Sequence, residues 1–169
     1  DGKADIAVFR PTQGVWYVHY SAGGTDAAVG YGANGDVPVA ADYDGDGEAD
    51  IAVFRPSDGV WYVQGGTATA WGANGDIPVP ADYDGDLKAD IAVFHPTDHS
   101  FHILQSASGT ERVVRFGHDA ALMPVPADYD GDGRTDPAVA NTIGTAWWLT
   151  PDTATPSFTF PTFPAGFYA

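Results

Sequence analysis

One acidic phrase returns along the chain, as DYDGDGEAD at residues 42–50, DYDGDLKAD at 82–90 and DYDGDGRTD at 128–136, and the chain opens inside it with DGKAD at 1–5. The corresponding aspartates Asp1, Asp46, Asp86 and Asp132 are 45, 40 and 46 residues apart. A period of this length dictates a repeat architecture. The same segments flank each phrase. Val37-Pro38-Val39 and Ile77-Pro78-Val79 precede it, and IAVF at 51–54 follows, an apolar run that reads as a strand covered on both faces. A Pro-x-x-Gly turn at 56–59 leads into VWYV at 60–63. A weaker fourth strand ends in an aromatic–glycine pair: Tyr31-Gly32, Trp71-Gly72 or Phe116-Gly117. Four short strands in about 40–45 residues is the size of a propeller blade. The expected fold is therefore all-β, a β-propeller of four repeats at about residues 1–36, 37–76, 77–122 and 123–161 within one domain spanning 1–169. A β-solenoid or an open string of small sheets is the plainer alternative. No segment sustains a 3.6-residue period, so helix should be nearly absent.

The acidic phrase has its own chemistry. The acids number 21 Asp against 2 Glu, a skew that a merely solvated surface does not need. Asp42, Asp44, Asp46 and Asp50 stand at positions 1, 3, 5 and 9 of a tight loop. Glu48, at position 7, offers its backbone carbonyl, and Gly47, at position 6, permits the positive φ of a sharp turn. Hard oxygen donors at this spacing suit Ca²⁺, and the short stem of Asp lets them converge within one turn of chain. Position 12 is Val53, Val93 or Val139, in a strand, where an EF-hand carries a bidentate Glu on a helix. The expectation is a strand–loop–strand calcium site of weak affinity, on the order of 10⁻⁴–10⁻³ M. Asp-Gly turns also favour hairpins without any metal, but four aspartates in nine residues repel one another unless a cation joins them. Three full sites are expected: Asp42, Asp44, Asp46, Glu48 and Asp50; Asp82, Asp84, Asp86, Lys88 and Asp90; Asp128, Asp130, Asp132, Arg134 and Asp136. Glu48, Lys88 and Arg134 act through their carbonyls. Three Ca²⁺ change the formal charge from −16 to −10. Leu87 replaces the position-6 glycine, so the second site should be the weakest. Asp1, Lys3 and Asp5 hold only positions 5, 7 and 9, too few donors for an ion that takes 6–8 oxygens.

These residues resemble the FG-GAP/VCBS repeat family, whose blades occur in integrin α-chain propellers and in many bacterial secreted proteins. The phrase Asp-x-Asp-x-Asp-Gly-x-x-Asp matches at 42–50 and 128–136, and at 82–90 with one departure, over a resemblance covering about residues 1–150. The resemblance implies a propeller with calcium between the first and second strands of each blade, and a role in adhesion, in sugar binding or as an accessory module. It implies no catalytic chemistry. The chain departs from the seven blades of integrin-like propellers, with four repeats, the first incomplete.

Other functions fall to the composition. Phosphates would meet a strongly negative surface, which argues against nucleic acid. No apolar run approaches the roughly 18–20 residues of a membrane span. The chain has no cysteine, hence no disulfide and no thiolate metal site. No secretory signal precedes Asp1, so any export signal is removed or was never present; the expected location is outside the cell or on its surface. No Gly-x-Ser-x-Gly, Walker or His-Glu-x-x-His motif occurs, and the expectation is a protein that is not an enzyme. His95, His99 and His102 are spaced for a transition metal, yet His95 stands where Arg10 and Arg55 stand, and strand and turn roles suit them better. His19 and His118 have no partner spacing. Trp16-Tyr17, Trp61-Tyr62 and Trp147-Trp148 recur at one place in the repeat and should be mostly core, though one ring of each pair points elsewhere and suits stacking on a sugar.

The leading reading is a binding, adhesion or assembly module with a glycan or protein ligand. The alternatives are a lectin and a filament subunit that self-associates. For the last, residues 150–169, rich in Pro, Thr and Phe, are either a spacer with O-glycosylation sites or a closing strand. As a strand, residues 158–169 would add to the first-repeat edge, closing a ring within one chain or joining chains head to tail.

Overall fold

The computed structural model describes residues 4–116, 122–141 and 147–149. The expectations for residues 1–3, 117–121, 142–146 and 150–169, the closing strand among them, lie outside the described residues. Every regular element described is a β-strand, and all strand pairings are antiparallel. The chain divides into two units, residues 1–74 and 75–169.

In the first unit, β1 (Ile6–Arg10), β2 (Val15–His19) and β3 (Ala27–Gly30) form one sheet in that order. A second runs β4 (Val37–Pro38), β5 (Ala52–Arg55), β6 (Val60–Val63) and β7 (Thr69–Ala70). The absence of polar alternation in β5 is explained by its place inside the sheet: Ala52, Val53 and Phe54 are all 0% exposed. In the equivalent strand β1, Ile6 is 67% and Val8 60% exposed, and among the described residues β1 pairs with β2 alone. The IAVF run therefore marks a strand in both repeats but a covered one only in the second.

The turns show why glycine and the aromatic–glycine pair recur together. The Arg55 carbonyl accepts the Gly59 N–H at 2.9 Å, and the Gly59 carbonyl accepts the Trp71 N–H at 2.8 Å. A Cβ on Gly59 would sit 2.2 Å from the Gly72 carbonyl oxygen, and one on Gly14 would sit 2.3 Å from that of Gly32. At these two turns glycine admits that approach, at a φ of 68° and 63°. The indole N–H groups of Trp16 and Trp61 donate to the Tyr31 and Trp71 carbonyls at 3.0 and 2.8 Å, which fastens each buried ring to the strand beyond it.

In the second unit, β8 (Ile77–Pro78), β9 (Ile91–His95), β10 (Ser100–Leu104) and β11 (Glu111–Arg115) pair in the order β11-β10-β9-β8, and β12 (Leu122–Pro124), β13 (Ala138–Asn141) and β14 (Trp147–Leu149) form a further sheet. Val79, Tyr83, Phe94, Phe101, Ile103, Phe116, Leu122 and Val139 make one buried cluster, so these two sheets share a core. His99 takes the turn position of Gly14 and Gly59 at a φ of 53°, and its carbonyl accepts the Phe116 N–H at 2.9 Å as the glycine carbonyls do.

Candidate metal centre

Each acidic loop hangs from a single antiparallel bridge between the residue before position 1 and position 9: Ala41 with Asp50, Ala81 with Asp90, Ala127 with Asp136. Within it the aspartates first organise the backbone. Both oxygens of Asp42 accept loop N–H groups, from Gly45 at 2.6 Å and Gly47 at 2.9 Å. Asp44 accepts the Asp46 N–H at 3.1 Å, and Asp46 accepts that of Glu48 at 2.8 Å. Asp50 reaches back across the loop to the Tyr43 N–H at 2.9 Å. The third loop repeats the set through Asp128, Asp130, Asp132 and Asp136. Short carboxylates thus hold a chain that turns too sharply to bond to itself, at φ values of 84° and 85° for Gly45 and Gly47.

The same folding draws like charges together. In the first loop Asp42, Asp44 and Asp50 present oxygens within 4.8 Å of one another, as do Asp82, Asp84 and Asp86 in the second and Asp128, Asp130 and Asp136 in the third. At that distance each pair of carboxylates repels by about 1 kcal/mol in bulk water and by about 3–4 at an effective dielectric near 20. A hard dication relieves this and satisfies the donor set, which is all oxygen. Asp46 and Asp132, predicted as ligands, lie outside the converging groups. Glu48 and Arg134 are placed by their N–H bonds to those two aspartates. Asp1 and Lys3 are not described. Asp5 spends one oxygen on the Ser21 N–H at 2.8 Å, a bond that holds its carboxyl below the usual range.

The second loop differs in two ways. Leu87 adopts a φ of 68° with its side chain 78% exposed, and its N–H meets Asp82 at 2.8 Å as Gly47 meets Asp42. The left-handed backbone that position 6 requires is therefore imposed on a leucine. Asp90 is absent from the converging group, and both its oxygens are engaged, one by the Tyr83 N–H at 2.9 Å and the other by the Ser106 N–H at 2.7 Å. Asp86 is drawn in instead, and the Ser106 hydroxyl donates to it at 2.9 Å. Burial pushes the Asp90 carboxyl up, against the pull of those two N–H groups; burial likewise raises Asp136. Leu87→Gly removes a left-handed leucine costing about 1–2 kcal/mol, less the extra chain entropy of glycine. The variant should gain about 1 kcal/mol in urea unfolding and bind calcium more tightly at the second loop. An unchanged midpoint would count against the cost assigned to that φ.

Ser106 escaped the sequence reading, although a signal exists: Ser21 and Ser106 each stand sixteen residues beyond a position-9 aspartate, Asp5 or Asp90, and cap it. Asp36 and Asp76 were missed too. Each closes an Ala-Asn-Gly-Asp segment before the first strand, and Asp36 grips Arg55 through two bonds of 2.8 and 2.9 Å. Asp76 bonds the His95 Nδ1 in the same place. His102 bonds Glu111 at 2.7 Å and Ser100 at 3.1 Å, and His99 serves a turn. His95, His99 and His102 are thus held in strand and turn roles, and the groups that converge for a metal among the described residues are all aspartates. Tyr62, a candidate for stacking on a sugar, has the Arg55 guanidinium 4.5 Å over its ring.

Comparison with known proteins returns nothing: no family model, no curated protein and no solved structure matches the chain.

Proposed function

We propose that the chain is a calcium-binding β-repeat module of the propeller type, similar to the FG-GAP/VCBS repeats, that binds or assembles outside the cell and does not catalyse. One observation carries the reading: three times over, a loop closed by one bridge brings three aspartates within 4.8 Å of one another. Carboxylates from positions 1, 3 and 9 in the first and third loops, and from 1, 3 and 5 in the second, join the carbonyl of position 7 as oxygen donors, and water completes the 6–8 that calcium takes. Sites of this kind bind weakly and fill where calcium is near millimolar, which suits an extracellular setting. Bound calcium ties the first strand of a repeat to the second, so that the sheets present fixed surfaces to a glycan or protein ligand.

Calorimetric titration of the metal-free protein tests this. Three ions per chain are expected, with nothing bound by the incomplete phrase of Asp1, Lys3 and Asp5. A chain that takes up no calcium at millimolar concentration overturns the reading. A glycan array in calcium then assigns the partner class, sugar retention marking a lectin.

A further inference from the structure

In the unit formed by residues 75–169 the two acidic loops are joined. The Thr135 N–H donates to the Asp82 carbonyl at 2.6 Å. The Arg134 side chain lies against Gly85: a Cβ placed there would meet the Arg134 Nε at 2.8 Å and Cγ at 3.1 Å. Both ends of this contact are parts of a loop's working frame. Arg134 is position 7 of the third loop, where its N–H bonds Asp132 at 2.8 Å, and Thr135 immediately precedes Asp136 at position 9. Asp82 is position 1 of the second loop, its two oxygens holding the N–H groups of Gly85 and Leu87 at 2.6 and 2.8 Å. Residues 134–136 therefore supply two ligand positions to one loop while gripping positions 1 and 4 of the other.

We propose that calcium binding at the second and third loops is coupled, each ion tightening the other. An ion at the third loop draws on the Arg134 carbonyl and the Asp136 carboxylate and so fixes residues 134–136. That immobilises Asp82 and Gly85, and the second loop then loses less freedom when its own ion arrives. Linkage makes the effect reciprocal. Repulsion between the two dications does not cancel it. Each loop carries four aspartates and one basic residue, Lys88 or Arg134, so a filled loop keeps a net negative charge and still attracts the second cation. The proposal rests on the calcium reading above, and the experiment separates the two.

Calcium titration followed by NMR at the Gly85 and Gly131 amides reads the loops individually. Asp130→Asn keeps an acceptor for the Asp132 N–H while removing a ligand charge from the third loop. It is expected to raise the calcium midpoint of the second loop about fivefold or more, the lower end of typical coupling. Asp84→Asn should do the same to the third. Loss of a nearby charge alone could weaken the second loop, so the Asp130→Asn comparison is repeated in Arg134→Ala. The Thr135 N–H bond to the Asp82 carbonyl survives that substitution, so contact coupling predicts a shift that shrinks there without vanishing, whereas a purely electrostatic effect persists in full. A shift that persists in full, or two loops that titrate independently in the parent chain, overturns the coupling and leaves the calcium reading intact. Amides that do not respond to calcium at all overturn the calcium reading itself.

Discussion

Stripping calcium with EGTA is expected to lower the melting temperature by about 10 °C or more, with recovery in Ca²⁺ and little in Mg²⁺. An ion that binds only the native state adds about 1.4 kcal/mol per site at ten times Kd. Three sites give about 4 kcal/mol, and a chain of this size shifts by about 2–4 °C per kcal/mol. Mg²⁺ gives up its water reluctantly and suits a smaller octahedral cage. The pH dependence should differ between the two states. Burial raises the Asp90 and Asp136 carboxyls, so the metal-free native protein holds protons there that the unfolded chain, near its ordinary carboxylate pKa of about 3.9, has released. Their contribution is present at lower pH and is lost as pH rises through the raised values. Calcium needs the ionised form and gains over the same range. Melting curves in EGTA and in calcium should therefore diverge as pH rises above about 4. Superimposable curves with and without chelator would sink the calcium reading of the fold.

What the sequence revealed was whatever repeats as a residue type. Aspartates at positions 1, 3, 5 and 9 were legible because a loop this tight needs short carboxylates whether or not an ion is present. Position 6 was legible because its φ admits glycine readily, and Leu87 shows the backbone holding that φ without one. The strands were legible because buried runs such as IAVF lack polar alternation. What failed to show was pairing over distance. Asp36 grips Arg55 nineteen residues on, and Ser106 caps Asp90 sixteen residues on. Neither partner is conspicuous alone, since a serine in a hairpin or an aspartate after Asn-Gly is ordinary turn chemistry. The exposure of Ile6 and Val8 was equally invisible, because the run they belong to is spelled identically in β1 and around β5; the neighbours differ, not the strand.

Position 9 carries the sharpest remaining test, because there the ligand and the fastener are the same side chain. Asp90 is fully buried and accepts the N–H of Tyr83, itself 0% exposed, so truncation strands a backbone donor that water does not reach. An unsatisfied buried group costs about 1–3 kcal/mol. The Ser106 N–H is also released, but Ser106 is exposed and water can take it. Removing a carboxyl that burial has already made hard to ionise returns part of the loss. Asp90→Ala should thus cost about 2 kcal/mol even in EGTA, roughly 4–8 °C on the scale above, and more in calcium. Asp44→Asn is the contrasting variant. It keeps an acceptor for the Asp46 N–H and removes one of three carboxylates within 4.8 Å. In EGTA it should cost nothing, and relief of repulsion should make it slightly stabilising. In calcium it should lose most of what the first site contributes. The two variants separate only if position 9 fastens the loop in the absence of metal. Equal losses for both in EGTA would show that Asp90 is a ligand and nothing more.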